Sequence, residues 1–140
     1  MTIFVVDASV VVKWFVPEVH SAEAHRLLMP ENELVAPDLL FAELANVMWM
    51  KVRRGDLSSD EAQRLMRELS TLAVVTVSCQ TLAAEAYAVA TATGRSAYDA
   101  MYVALAVRLR TRMITADARL VNALKASPRF APHITFIADT

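Results

Sequence analysis

A chain of 140 residues, 56 % of them hydrophobic, is most simply one domain with a single sizeable core, and this composition excludes a largely disordered protein. Lys and Arg number 14 against 15 Asp and Glu, so the formal charge of −1 lacks the basic excess common in nucleic-acid binders, although a balanced total is compatible with a segregated surface. The only glycines, Gly55 and Gly94, are too few for a phosphate-cradling loop, which excludes P-loop and dinucleotide-binding folds.

Residues 2–6 form a short apolar run, the pattern of a strand buried on both faces. A helix is predicted from Ala8 to about Phe15, stopping before Pro17, and a second from Ser21 to Met29. Glu33 to Ala36 reads as a strand. Pro37 and Asp38 open a long helix to about Arg54, ended by Gly55. Ser58 and Glu61 make a capping-box pattern for a helix to about Leu72. A strand follows over Ala73–Val77, then an alanine-rich helix over Thr81–Thr93 closed by Gly94. Ser96 and Asp99 form another capping-box pattern, for a helix to about Arg110. Met113–Thr115 reads as a strand, Asp117–Lys125 as a helix and Ile134–Ile137 as a last strand. Apolar strands alternating with helices predict a parallel sheet with helices on both faces, whose strand C-termini share one edge. Ligand sites of open α/β sheets lie along that edge.

The apolar runs are broken by Asp7, Lys13, Glu43 and Asn46, and none approaches the roughly 20 residues a membrane span needs. The N-terminus shows no basic leader and cleavage pattern of an export signal. Cys79 is the only cysteine, so no internal disulfide forms, and the expected location is a reducing cytoplasm.

Four acids draw the eye. Asp7 and Asp117 each fall where a strand gives way to a helix, and Asp99 is the third residue after Ser96; helix capping accounts for all three positions. Glu43 is different. In LLFAELANVMWM the only polar residues are Glu43 and Asn46, and at about 100° per residue Glu43 shares a stripe with Leu39, Leu40, Val47 and Met50. A charge there is paired to a distant Arg, bound to metal, or held at the rim of a cleft. Phe41, Ala45, Met48, Trp49 and Val52 form a second stripe, which needs a helix neighbour or another subunit. If the four acids converge, their mutual repulsion calls for a cation, and an oxygen-only donor set suits Mg²⁺ or Mn²⁺. His20 and His25 are poorly spaced for one helix face and sit in no HExxH motif, so zinc is not expected. An acidic pocket with such an ion usually handles phosphate, which makes phosphodiester hydrolysis the natural inference.

The segments DASVVVKWF, ELANVMW, SAYDAMYVALA and MITADARL, in this order, together resemble the PIN-domain ribonucleases, and within them the VapC toxins of toxin–antitoxin systems. The likeness spans nearly the whole chain. It implies one three-layer α/β/α domain over residues 1–140, with a mostly parallel, about five-stranded sheet. The family's strand-end acid falls on Asp7, with Ser9 as its companion hydroxyl; its helical acid falls on Glu43, with Asn46 a turn later. Asp99 takes the Y-D-A position, and Asp117 the T-x-D position with Thr115 as hydroxyl. By this resemblance Asp7 and Asp99 bind Mg²⁺ or Mn²⁺, Glu43 and Asp117 do so directly or through water, and Ser9, Asn46 and Thr115 support them. The implied activity is metal-dependent RNA hydrolysis, by a homodimer held in check by a VapB-type antitoxin.

Candidates for contact with RNA phosphates are Lys13, Arg53, Arg54, Arg95, Arg108, Arg110, Arg112 and Arg119, and Tyr98 is a candidate for stacking on a base. Two other readings compete. One is an aspartate-based phosphatase or receiver-like phospho-acceptor, which lacks here the second acid two residues after Asp7 or the acidic pair before the first helix. The other is a non-catalytic interaction module whose acids only cap helices, which leaves Glu43 unexplained.

Overall fold

In the computed structural model, which describes residues 1–140, five strands form one sheet that is parallel throughout. They are β1 (Thr2–Val6), β2 (Asn32–Pro37), β3 (Val75–Val77), β4 (Met113–Thr115) and β5 (Ile134–Phe136), in the spatial order β3-β2-β1-β4-β5. The helices are α1 (Ala8–Val11), α2 (Ser21–Arg26), α3 (Leu39–Arg53), α4 (Ser59–Leu69), α5 (Cys79–Thr93), α6 (Ala97–Arg108) and α7 (Ala118–Lys125). Val5 and Val6 in the central strand have no exposed surface, as a strand covered on both faces requires.

From β1 the chain steps to β2 and β3, then recrosses the sheet to β4 and β5 on the far side of β1. Right-handed crossovers therefore place α1–α4 on one face and α5–α7 on the other. This is the expected α/β/α sandwich. The strand order reverses between β1 and β4, so a crevice opens at their C-terminal ends. On the second face α6 packs against β1, β2 and β4 with α5 laid over it. Residues Tyr102–Ala106 of α6 are all buried, as befits a helix sandwiched between a sheet and another helix.

Local chemistry sets the boundaries. Ser58 and Glu61 exchange side-chain and backbone bonds as a complete capping box. At Ser96 only one arm forms: Ser96 Oγ accepts from the Asp99 N–H at 3.1 Å, and the Asp99 carboxylate turns elsewhere. Gly94 ends α5 at φ +71°, in the left-handed region that favours glycine.

Several bounds differ from those read in the sequence. The first helix is a single α turn, continued over Val12–Trp14 as a 3₁₀ turn, with the Trp14 indole donating to the Ala24 carbonyl at 2.8 Å. Three successive valines crowd this turn, which disfavours a longer α-helix. The second helix stops at Arg26, short of Met29, whose backbone is restricted by Pro30. β3 begins at Val75 rather than Ala73, because its pairing with β2 starts only at Val35. α5 starts two residues early, at Cys79, where Ser78 Oγ accepts from the Gln80 N–H. The last strand ends at Phe136 and passes into a 3₁₀ turn. Asp38 stands at the α3 N-cap without bonding that helix; its carboxylate accepts from the Cys79 N–H instead.

The second apolar stripe of α3 finds its neighbour in α4. Met48 is buried, while Ala45, Trp49 and Val52 line a groove of about 430 Å³ shared with Ala62 and Met66.

Candidate active site

Asp7 leaves the end of β1 as the N-cap of α1, and Asp117 leaves the end of the adjacent β4 as the N-cap of α7. Glu43 comes from the second turn of α3 and Asp99 from the first turn of α6, helices on opposite faces of the sheet. All four line one cleft of about 470 Å³, together with Ser9, Asn46, Tyr98 and Tyr102.

Asp7 is the most enclosed of the four. Ser9 Oγ donates to its Oδ1 at 2.6 Å, the Val10 N–H reaches the same oxygen at 3.3 Å, and Thr115 Oγ1 donates to Oδ2 at 2.6 Å. Burial pushes its carboxyl above the usual range; the bonds from Ser9, Thr115 and Val10 pull it back, and Asp117 nearby pushes it up again. The two hydroxyls are themselves fixed. Ser9 Oγ accepts the Ala116 N–H at 2.9 Å and Thr115 Oγ1 accepts the Asp117 N–H at 3.1 Å. A network of Asp7, Ser9, Val10, Thr115, Ala116 and Asp117 thus stitches the β1 end to the β4 end and orients Asp7. Capping and orientation coexist, so the position of Asp7 as a helix cap does not compete with a place in the cleft.

Glu43 has no Arg partner. The Tyr102 hydroxyl, one turn beyond Asp99 on α6, donates to its Oε1 at 2.5 Å. Burial raises the Glu43 carboxyl, the Tyr102 bond lowers it, and Asp7 and Asp99 raise it further. The Tyr102 phenol is driven strongly upward by its own burial and by Glu43, so it stays a proton donor. Tyr102 is absent from the sequence reading. Its signal is the YDAMY spacing, which sets a second tyrosine one helical turn from Asp99.

Asp99 is raised chiefly by burial, opposed by Arg95, whose Nη2 lies 3.5 Å from Asp99 Oδ2. Asp117 Oδ1 accepts the Arg119 and Leu120 N–H groups at 3.1 Å each, which leaves Oδ2 free. Asn46 is exposed on the cleft wall, with its amide directed to Met50 Sδ at 3.8 Å rather than to an acid.

Of the basic candidates, only Arg95 touches an acid of the cleft. Lys13 is 7 % exposed and pairs with Glu18 at 2.9 Å, which also takes Lys51 at 3.0 Å, so, contrary to expectation, it is held in a structural ion pair and is not free to meet a phosphate. Arg108 pairs with Glu85, Arg53 lies over Trp49, and Arg112 lies over Phe4.

The donors suit a hard divalent cation: four carboxylates, the hydroxyls of Ser9, Tyr98 and Tyr102 and the Asn46 amide, with no His or Cys lining the cleft. Three of the acids are raised by burial and each also by a neighbouring acid, Glu43 by Asp7 and Asp99, and Asp7 and Asp99 by Asp117, which is the electrostatic condition a cation relieves. No three His, Cys, Asp or Glu side chains of the chain are grouped closely enough to enclose an ion unaided. Such an open arrangement leaves room for a hard divalent cation to keep several of its waters.

Fold and site together define a parallel α/β/α protein with a cation-seeking acidic crevice at its topological switch point. The sequence pattern of the PIN domain matches residues 4–125. Ribonuclease VapC3 of Pyrobaculum aerophilum is 37 % identical over 124 residues, covering 87 % of this chain and 95 % of that protein. A toxin–antitoxin complex from Klebsiella pneumoniae contains a chain of the same fold, with TM-score 0.60, 18 % identity and coverage of 98 % and 99 %. A crystal structure from Pyrobaculum aerophilum aligns with TM-score 0.64 and 21 % identity, over 98 % of this chain and 85 % of its own. The chain belongs to the PIN-domain family.

Proposed function

We propose that the protein is a metal-dependent endoribonuclease, the toxin of a toxin–antitoxin pair. The observation that carries this is the convergence of Asp7, Glu43, Asp99 and Asp117 on one cleft, with Arg95 as the only cation in contact with them. The VapC3 relative, by name a ribonuclease, and the fold shared with a chain of a toxin–antitoxin complex support it.

Asp7 and Asp99 are the residues that would hold Mg²⁺ or Mn²⁺ most directly, with Glu43 and Asp117 completing the acidic set directly or through water. A bound cation supplies charge neutralisation, attraction for the substrate phosphate and acidification of a water. The chain's own part is positional. Ser9, Thr115 and the Val10 N–H hold both Asp7 oxygens in one orientation. Tyr102 occupies Glu43 Oε1 and leaves Oε2 to take a proton from a water in the cleft. In-line attack by that water on phosphorus breaks the P–O3′ bond, giving a 3′-hydroxyl and a 5′-phosphate; no 2′-hydroxyl takes part.

The remaining assignments belong to the same reading. Residues 1–140 act as one domain, since β5, beyond the matched segment, completes the sheet through β4. The partners are a VapB-type antitoxin and a second copy of the chain. No helix is long and apolar enough to cross a membrane, and a cytoplasmic location accords with the lone Cys79.

The test is cleavage of a mixed cellular RNA pool by purified protein, in Mg²⁺ or Mn²⁺ against EDTA, beside Asp7→Asn. Cleavage with either ion that vanishes in EDTA and in the variant is the expected result. Folded, partner-free protein that leaves the pool intact with both ions overturns the general nuclease.

A further inference from the structure

Three aromatic side chains are largely exposed: Trp49, Tyr87 and Tyr98. Arg53 covers Trp49 at 4.9 Å from the ring centroid, and Tyr87 lies on α5 outside the acidic cleft. Tyr98 is the exposed aromatic that lines the cleft. It is 66 % exposed, and neither an aromatic ring nor a cation packs on it. Packing does not account for it, because the core contacts of α6 are made by Ala100 and Tyr102–Ala106.

Three residues earlier stands Arg95, whose contact with Asp99 at 3.5 Å is long for a charge-assisted hydrogen bond. Its Nε is buried and has no acceptor. The Nε–Nη edge of a guanidinium is the fork that grips a phosphate through two parallel bonds. Here that fork is left half used. A buried donor without a partner penalises the resting conformation, and the side chain, 31 % exposed, has a path to solvent.

We propose that Tyr98 and Arg95 hold the nucleotide beside the scissile bond, the phenol ring stacking on its base and the guanidinium moving from Asp99 onto the adjoining phosphate. This rests on the ribonuclease reading and adds the grip that the acids, being anionic, do not provide. Stacking accepts any base, since each has a π face, so the pair fixes where the strand lies rather than which letter it carries.

The test is binding of a labelled single-stranded oligoribonucleotide in Mg²⁺, followed by fluorescence anisotropy, with Asp7→Asn as the cleavage-blocked parent. Tyr98→Ala is expected to weaken binding roughly 5- to 150-fold, and Tyr98→Phe to keep it within about twofold. Arg95→Gln is expected to weaken binding and to make the logarithmic salt slope shallower by about 0.7. In the cleaving protein KM rises more than kcat falls for Tyr98→Ala, whose surface position leaves its thermal melt unchanged. Tyr98→Ala or Arg95→Gln that binds as tightly as the parent, while the unmutated protein still cuts RNA, overturns this assignment and leaves the nuclease standing. Unmutated protein that neither binds nor cuts RNA overturns both.

Discussion

Replacing Thr115 by valine exchanges one hydroxyl for one methyl at a position with no exposed surface. The hydroxyl donates to Asp7 Oδ2 at 2.6 Å and accepts the Asp117 N–H at 3.1 Å, so the substitution deletes two bonds that water cannot restore. A hydrogen bond to a charged acceptor contributes about 1.5–3 kcal/mol, and a half-buried N–H left without an acceptor costs about 1 kcal/mol. The added methyl returns about 0.8 kcal/mol. The net loss is about 2–3 kcal/mol, which for a domain of this size lowers Tm by roughly 7–10 °C. Urea denaturation and calorimetry in EDTA measure it, with Thr115→Ser as the companion that keeps the hydroxyl. Equal stability of Thr115→Val and the parent, or a serine variant as damaged as the valine one, refutes the assignment of the hydroxyl network.

Tyr102→Phe removes the bond to Glu43 Oε1, which holds that carboxyl down against its burial. The acid limb of the pH–rate profile should move to higher pH and neutral-pH activity should fall roughly tenfold; an unmoved limb refutes the pairing. Asp7, Glu43 and Asp99 lie above their ordinary values of 3.8, 4.5 and 3.8, each chiefly through burial. The folded chain keeps protons the unfolded chain has released, so their stabilising contribution is full below about 3.8 and is lost as pH rises through the elevated folded values. The stability advantage of Asp99→Asn over the parent in EDTA should therefore grow with pH across that window and shrink when Mg²⁺ is added; a pH-independent difference in EDTA refutes it. Lys13→Gln should cost about 1.5–3 kcal/mol of stability, measured by denaturation, with no change in the salt slope of RNA binding.

What could be read in the residues were the features written locally. The continuous apolar run of β1, the capping box at Ser58 and the strand-to-helix junctions at Asp7 and Asp117 are carried by neighbours within a few positions. Glu43 was legible by contradiction, as a charge on an apolar stripe. Its partner was not, because Tyr102 lies 59 residues away and meets it only when α3 and α6 close on the crevice from opposite faces. Lys13 was misread for a nearer reason: its partner Glu18 stands only five residues on, beyond Pro17, and the burial of the pair is completed by Lys51, which reaches the same carboxylate from 33 residues away. The truncation of the first helix was hidden because the largely apolar run from Val10 to Phe15 gives no stop signal before Pro17, and the indole bond from Trp14 to Ala24 reaches ten residues further along the chain.

The bond from Thr115 to Asp7 spans 108 positions of chain, and it can form only after β4 has slotted in beside β1. Such a remote contact is among the slowest to close during folding, since the loop entropy must be overcome before the strand pairing compensates it. The orientation of Asp7 is therefore among the later features the fold acquires. Partly folded forms, however rich in helix, lack an oriented Asp7, and the appearance of activity during refolding becomes a clock for completion of the sheet. A topology that withholds the oriented Asp7 until the fold is whole keeps partly folded chains free of an assembled acidic cleft.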